Sequence, residues 1–241
     1  MIEAAALLKV IQDKPLPLAI AAVADLFPGQ VSFSSSLGQE DQVITDAIYR
    51  NNLPVRIFTL DTGRLFAETY ELLERTNARY KKNMEVYFPE AADVEEYVRE
   101  KGINGFYESV QNRKDCCYVR KVKPLNRALA GVKVWMTGLR AEQSGNRQHM
   151  PVIEWDDTRQ LYKFNPLISW TYEEVMHYLK ENNVPWNPLH DKGYISIGCA
   201  PCTRAIEPGE DARAGRWWWE TSHKECGLHG TAAVKNFAEQ K

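Results

Sequence analysis

The sequence has no long apolar segment, almost no net charge and few cysteines, and each of these shortages narrows the choice of protein class. Thirty Lys and Arg side chains face thirty-two Asp and Glu side chains, which leaves a formal charge of −2. Such a balance gives no overall attraction to nucleic acid or to an anionic membrane, so any anion site must be local. No apolar run approaches the roughly 18 residues that a membrane-spanning helix needs.

The start of the chain also lacks the features of a secretory signal. Residues 1–4 contain no basic stretch ahead of an apolar run. The 241 residues are 44% hydrophobic, enough for a sizeable core without disulfide bonds. We therefore expect a soluble, cytoplasmic protein that binds neither nucleic acid nor membrane. The sequence leaves open whether it forms a homo-oligomer.

Short β-rich runs alternate with helical patterns along much of the chain. The predicted strands span residues 31–34, 55–60, 85–88 and 132–136. The predicted helices span residues 2–11, 16–27, 39–49, 67–79, 92–101, 118–129 and 172–181. This alternation predicts an α/β fold with a doubly wound, mostly parallel sheet, whose ligands lie beyond the carboxyl ends of the strands.

Four of the five cysteines form two pairs. Cys116 and Cys117 are adjacent, Cys199 and Cys202 form a Cys-x-x-Cys motif, and Cys226 stands alone. The two pairs can direct four thiolates at one soft metal centre, and the adjacent pair is unusual for zinc, which modestly favours a 4Fe-4S cluster. Zinc, a thioredoxin-type redox pair and no role at all stay open on spacing alone.

Several segments strongly resemble the assimilatory adenylyl-sulfate (APS) reductases. The most specific ones are residues 116–125, 194–203 and 224–229, and the likeness also covers residues 60–65, 137–140, 162–167 and 215–220. It implies a fold of the adenine-nucleotide α-hydrolase (PP-loop-like) type with a C-terminal catalytic tail. It also implies one 4Fe-4S cluster per chain, held by Cys116, Cys117, Cys199 and Cys202.

The resemblance further implies reduction of APS to sulfite and AMP in sulfate assimilation. Attack on sulfur needs a soft nucleophile, and Cys226 is the cysteine left after the cluster takes four, so we expect an S-sulfonate on Cys226. No internal thiol remains to release sulfite, and only twelve residues follow His229, too few for the fused redox domain of the plant-type enzymes. Thioredoxin, or more weakly glutaredoxin, is the expected reductant.

The substrate-binding residues follow from the same resemblance. A modified pyrophosphate-binding loop supplies Ser35, Ser36 and Gly38, although a Ser-rich loop before a helix is as often only a helix cap. The predicted ligands of the phosphate and sulfate groups are Lys121, Arg213, Arg216 and His229. Leu60, Gly138 and Arg140 are weaker predictions for adenine and ribose contacts.

Other conspicuous residues receive structural interpretations. We expect Asp61 to fix a loop, Glu40 and Asp41 to serve a helix N-terminus, and the run of tryptophans at 217–219 to pack rather than to stack on a base. Lys121 is expected to touch both cluster and substrate without electron transfer.

The expected organisation has three parts: N-terminal helices at 1–28, a nucleotide-binding α/β domain at 29–190, and the Cys-x-x-Cys segment with its catalytic tail at 191–241. The related PAPS reductases, which act on the 3′-phosphorylated nucleotide, typically lack both cysteine pairs, so the pairs favour APS. A PAPS or dual-specificity reductase is the alternative, and a non-catalytic iron–sulfur or zinc nucleotide sensor is a more distant one.

Overall fold

The computed structural model describes residues 3–143 and 147–220 and contains a six-stranded sheet. Its strands are β1 (Val31–Ser35), β2 (Arg56–Leu60), β3 (Glu85–Tyr87), β4 (Val134–Met136), β5 (Ile153–Asp156) and β6 (Leu161–Phe164). The strand order is β3-β2-β1-β4-β6-β5. β1 runs parallel to β2 and β4, β4 runs parallel to β6, and β5 pairs with β6 in the antiparallel sense. The predicted doubly wound, mostly parallel sheet is confirmed.

The α-helices follow the predicted alternation with one clear exception. They are α1 (Ala4–Ile11), α2 (Leu16–Leu26), α3 (Gln39–Arg50), α4 (Ala67–Tyr80), α5 (Ala91–Lys101), α6 (Val110–Cys117), α7 (Lys123–Ala128) and α8 (Tyr172–Glu181). The helix predicted at 118–129 is wrong at its start, because the chain is already helical from Val110 and passes through a π-helical turn at Tyr118–Val122.

The β5–β6 hairpin was absent from the predicted strands. Its two strands have only four residues each, too short for alternation to show in the sequence. Asp156 shapes the turn, because its carboxylate accepts hydrogen bonds from the N–H groups of Thr158 and Arg159 at 3.0 and 3.1 Å. This is the side-chain mimicry of a backbone turn that aspartate provides.

Contacts group the chain into two compact units that interleave along the sequence. Unit 1 comprises Met1–Thr59, Ala67–Glu85 and Gly131–Lys192, and unit 2 comprises Leu60–Phe66, Val86–Ala130 and Gly193–Lys241. The three-part division expected from the sequence stays a prediction.

Each unit has its own buried cluster. Unit 1 has a large apolar core that includes Phe33, Ile44 and Val134. The cluster in unit 2 is smaller and consists of Tyr97, Phe106, Cys116, Cys199, Cys202 and Trp217. Three of its six members are cysteines. A metal centre bound by these sulfurs would therefore lie within the buried cluster and would stabilise unit 2 from there.

None of the helices in the described part of the chain combines the length and the apolar character needed to cross a lipid bilayer.

Candidate functional site

The loop after β1 turns sharply before it enters α3. Leu37 has a φ of 62°, a left-handed conformation that is uncommon outside glycine and that can turn successive N–H groups toward one side. The hydroxyl of Ser35 accepts a hydrogen bond from the N–H of Leu37 at 3.1 Å. Gly38 is the N-cap of α3, so the loop continues directly into a helix N-terminus. This geometry suits the predicted role of Ser35, Ser36 and Gly38 in anion binding.

Asp41, in the first turn of α3, is tied to this loop. Its Oδ2 atom lies 2.6 Å from both the N–H and the hydroxyl of Ser36. Burial raises the pKa of the Asp41 carboxyl to about 6, although the hydrogen bonds from Ser36 oppose the shift. The carboxyl therefore engages donors that are also predicted to contact the substrate.

The segment after β4 lies against the same carboxyl. A Cβ atom built on Gly138 would overlap the carboxylate of Asp41, so this position requires glycine. Arg140 is buried and donates to Glu40 at 2.8 Å and to Glu142 at 2.9 Å. Its guanidinium is thus held by two carboxylates rather than left open to solvent.

The strand order gathers several predicted nucleotide contacts at one edge of the sheet. β2, β1 and β4 are parallel neighbours, so their carboxyl ends face the same way. Leu60 is the last residue of β2, the Ser-rich loop follows β1, and Gly138 follows β4. Ligands of such sheets bind beyond this edge.

The four paired cysteines line one recess of unit 2. Cys116, Cys199 and Cys202 are buried, and Cys117 is half-buried. The recess is also lined by Arg64, Phe106, Arg113, Arg120, Lys121 and Pro201. Four sulfurs therefore meet beside several cationic side chains, which is the environment that a multiply charged thiolate site needs.

The π-helical turn explains how adjacent cysteines and two cations reach the same recess. α6 ends at Cys117, and the wider turn at Tyr118–Val122 changes the angular spacing of the side chains that follow. π-turns inside helices occur frequently at functional sites. Arg120 and Lys121 lie in this turn, and both line the recess.

The cations favour ionisation of one thiol in particular. Burial by itself would raise the pKa of Cys199. The pKa is nevertheless lowered below its ordinary value by the charge of Lys121, by a 3.2 Å contact with the Thr62 hydroxyl and by the charge of Arg216. Burial, followed by the negative charge of Cys199, raises the pKa of Cys202 to about 12. Ionisation of Cys202 is therefore opposed, and a bound metal centre would supply positive charge that favours it.

In residues 3–143 and 147–220, no group of three or more His, Cys, Asp or Glu side chains is arranged to hold a single metal ion. The donor set of the recess is four sulfurs, and 4Fe-4S clusters are held by four cysteine thiolates. The cysteines that line the recess thus have the chemistry of ligands for such a cluster.

Trp217 is buried, and two guanidinium groups lie close to its ring. The Cζ atoms of Arg113 and Arg216 lie 4.6 and 4.8 Å from its ring. Trp217 therefore packs in the interior of unit 2, as expected from the sequence. Its neighbour Trp218 is 40% exposed and packs less completely.

Arg216 is buried, and a Cβ atom on Gly198 would overlap its guanidinium. Its Nε atom has no hydrogen-bond partner among the residues that the structure describes. The predicted anion ligand Arg213 lies three residues earlier and is half-buried.

Comparison with known proteins identifies the family. Residues 30–205 match the model of the phosphoadenosine phosphosulfate reductase domain. The chain belongs to the phosphoadenosine phosphosulfate reductase family. It is similar to a protein named adenosine 5′-phosphosulfate reductase from Allochromatium vinosum, with 55% identity over 83% of this chain and 78% of that protein. A protein of the same name from Sinorhizobium fredii strain USDA 257 is 52% identical over 97% of this chain and 93% of its own length.

A solved structure supports the fold of this family member. The phosphoadenylyl-sulfate (PAPS) reductase from Candida auris, in a phosphate complex, superimposes with a TM-score of 0.70 at 28% identity. The match covers 86% of this chain and 98% of that one. The resemblance stated from the sequence motifs is therefore confirmed at the level of fold and family.

Some predicted residues of this reductase-family chain cannot be placed, and others were missed. Cys226 and His229 lie outside the described residues. Asp61 does fix a loop, because its carboxylate accepts a hydrogen bond from the N–H of Gly63 at 2.7 Å. Sequence reasoning missed Thr62, although it stands in the segment 60–65 that carries the resemblance. It also missed Arg120, whose Nη1 donates to the Thr62 carbonyl at 2.7 Å.

Proposed function

We propose that the chain is an APS reductase that converts adenylyl sulfate into sulfite and AMP. The names of its relatives at 52 and 55% identity support this activity. The structural observation that carries the proposal is the recess that four cysteines line together with Lys121. A cytoplasmic location agrees with four cysteines assigned as metal ligands, because that compartment keeps cysteines reduced.

One 4Fe-4S cluster per chain, held by Cys116, Cys117, Cys199 and Cys202, is the cofactor we assign to the recess. When bound, it would supply a fixed charge next to Lys121 and no electrons for the substrate. The role of Lys121 is to orient the sulfate and to neutralise its charge. Its ammonium group is close enough to the recess to lower the pKa of Cys199, so it can contact the substrate beside the cysteines.

The first chemical step is attack by the thiolate of Cys226 on the sulfur of APS. A sulfur–sulfur bond forms, the bond between sulfur and the phosphate oxygen breaks, and AMP leaves with that electron pair. Ser35, Ser36 and Gly38, at the loop before α3, are assigned to the nucleotide anion. The cations assigned to the transferring sulfate and the phosphate are Lys121, Arg213, Arg216 and His229.

The second step releases sulfite. A thioredoxin thiolate attacks Sγ of Cys226, sulfite leaves with its electron pair, and a mixed disulfide forms. The second thiolate of thioredoxin then displaces Cys226 as a thiolate. The two electrons consumed in the reaction come from the thioredoxin dithiol, which ends as a disulfide.

Mass spectrometry without reductant tests this sequence of steps. The purified protein mixed with APS should release AMP and gain about 80 Da, the mass of an SO₃ group, on a peptide that contains Cys226. Thioredoxin should then remove the added mass and release sulfite. Cys226→Ser should bind APS with near-normal affinity and form no adduct. An adduct on Cys199 or Cys202, or none on the wild type, would overturn the mechanism and point to a redox Cys-x-x-Cys.

A second candidate substrate is PAPS, favoured by the match to the phosphoadenosine phosphosulfate reductase domain and by the likeness to the PAPS reductase of Candida auris. Assays with APS and PAPS separately distinguish the two. Turnover of either one also excludes a non-catalytic nucleotide sensor.

A further inference from the structure

Arg113 and Glu220 form a buried, two-pronged ion pair in unit 2. Nε of Arg113 donates to Oε1 of Glu220 and Nη2 donates to Oε2, both at 2.8 Å. The two side chains are only 5% and 3% exposed. A guanidinium and a carboxylate joined by two parallel hydrogen bonds fix direction as well as distance.

The two partners connect the cysteine recess to the predicted catalytic tail. Arg113 lies on α6, three and four residues before Cys116 and Cys117, and it lines the recess itself. Cys226 follows Glu220 by six positions, a span of at most about 22 Å of extended chain.

Stability alone is a weak explanation for this pair. Apolar side chains of similar volume hold a buried segment as well as an ion pair does, and often better. What apolar side chains cannot supply is the fixed orientation of the fork. A second fork in unit 2 provides a contrast, because Arg204 donates to both carboxylate oxygens of Glu210 at 2.8 Å but at the surface.

We propose that Arg113 and Glu220 act as a positioning pair, which fixes the chain at Glu220, six residues before Cys226, and thereby sets the rate of attack by Cys226 on the sulfonucleotide. This inference rests on the function proposed above. A displacement of about 1 Å at a reacting group can cost on the order of 100-fold in rate. The nucleotide contacts assigned to Ser35, Ser36 and Gly38 do not involve this pair, so substrate binding should survive its loss.

The first test is Glu220→Gln, which keeps the shape of the side chain and removes its charge. The single-turnover rate of Cys226 S-sulfonate formation should fall at least tenfold, while KM for APS changes less than threefold and the iron content stays at the wild-type level. Glu210→Gln is the matched control, since it breaks the surface fork, and it should react at the wild-type rate.

The double variant Arg113→Met/Glu220→Leu separates positioning from stability. Because it replaces both charged side chains of the pair with apolar ones, its Tm should return to near the wild-type value. Its rate of adduct formation should stay at least tenfold low if the fork sets orientation. The positioning role would be overturned if the rate of the double variant recovered together with its Tm. It would also be overturned if Glu220→Gln reacted as fast as wild type.

A loss of rate in proportion to a loss of iron would also overturn it, in favour of an effect on the cysteine recess. The two proposals fail differently. If the wild-type protein forms no adduct on Cys226, the proposed function falls and the pair falls with it. If wild type and Glu220→Gln form the adduct equally fast, only the positioning pair is wrong.

Discussion

The carboxylate of Asp41 fills the space that a side chain on Gly138 would occupy. The same carboxylate accepts two hydrogen bonds from Ser36 at 2.6 Å. One buried carboxyl thus joins three parts of unit 1: the loop after β1, the first turn of α3 and the segment after β4. We therefore expect a change at Gly138 to disturb the predicted anion-binding loop through Asp41.

Gly138→Ala should weaken nucleotide binding. The added Cβ would overlap the carboxylate and would also lie 3.3 Å from the backbone nitrogen of Asp41, so rotation of the Asp41 side chain relieves only part of the clash. We expect KM for APS to rise about tenfold, which corresponds to about 1.4 kcal/mol, measured in steady state and checked by titration with AMP.

Gly29→Ala is the control for general destabilisation. Gly29 has a φ of 71° and open space around it, so alanine there should cost about 1–2 kcal/mol of stability through strain and leave KM unchanged. Equal KM values for wild type and Gly138→Ala would show that Asp41 does not order the loop.

Asp41 should also give the protein a pH-dependent stability. Its pKa is about 6 in the folded protein and 3.8 in the reference state, so folding favours the protonated carboxyl. The stability from this group is complete below pH 4 and is lost as the pH rises through 6, by about 3 kcal/mol at most. Denaturant unfolding of wild type and Asp41→Asn at several pH values should show wild type losing relative stability over this window. A pH-independent difference would contradict the burial argument.

Much of the sheet and of the cysteine recess could be predicted because short sequence patterns indicate them. Alternating β and helical patterns specify parallel strands, and the limits of α8 agree with the predicted 172–181. That helix has a capping box, in which Thr171 and Glu174 each accept a hydrogen bond from the other's backbone N–H. Such a signal lies within four residues of sequence and is readable without tertiary structure.

The parts that escaped prediction depend on distant partners or on weak patterns. Residues Val110–Cys117 carry little apolar periodicity, so the sequence pattern did not predict α6. The one local signal is its N-cap Ser109, whose side chain accepts a hydrogen bond from the N–H of Asn112 at 3.0 Å. The pairing of Arg113 with Glu220 joins residues 107 positions apart. No local rule relates such residues, so only the folded chain shows that they meet.

Substrate choice provides the next prediction. The two cysteine pairs, which accompany APS rather than PAPS use in the family resemblance, line one recess here. We therefore expect APS to exceed PAPS in kcat/KM by at least tenfold, a difference of about 1.4 kcal/mol in transition-state binding. Parallel assays of sulfite release with each nucleotide and thioredoxin measure the ratio. A tenfold preference for PAPS would reverse the assignment.

Metal content tests the role of the recess. Aerobically purified protein should be yellow-brown, absorb broadly near about 400 nm and contain about four irons per chain. Cys199→Ser and Cys202→Ser should each lose iron and colour. Both should also lower Tm, because these cysteines belong to the small buried cluster of unit 2, whose packing would depend on the bound metal centre.

Cys226→Ser is the matched control, since it makes the same substitution at the cysteine that is assigned to the chemistry rather than to the metal centre. It should keep its iron, its colour and the wild-type Tm while it loses all release of sulfite. The opposite pattern, with iron lost from Cys226→Ser but kept by Cys199→Ser, would exchange the roles of the cysteines. A colourless preparation that is fully active with bound zinc would show that the recess holds zinc and not an iron–sulfur cluster.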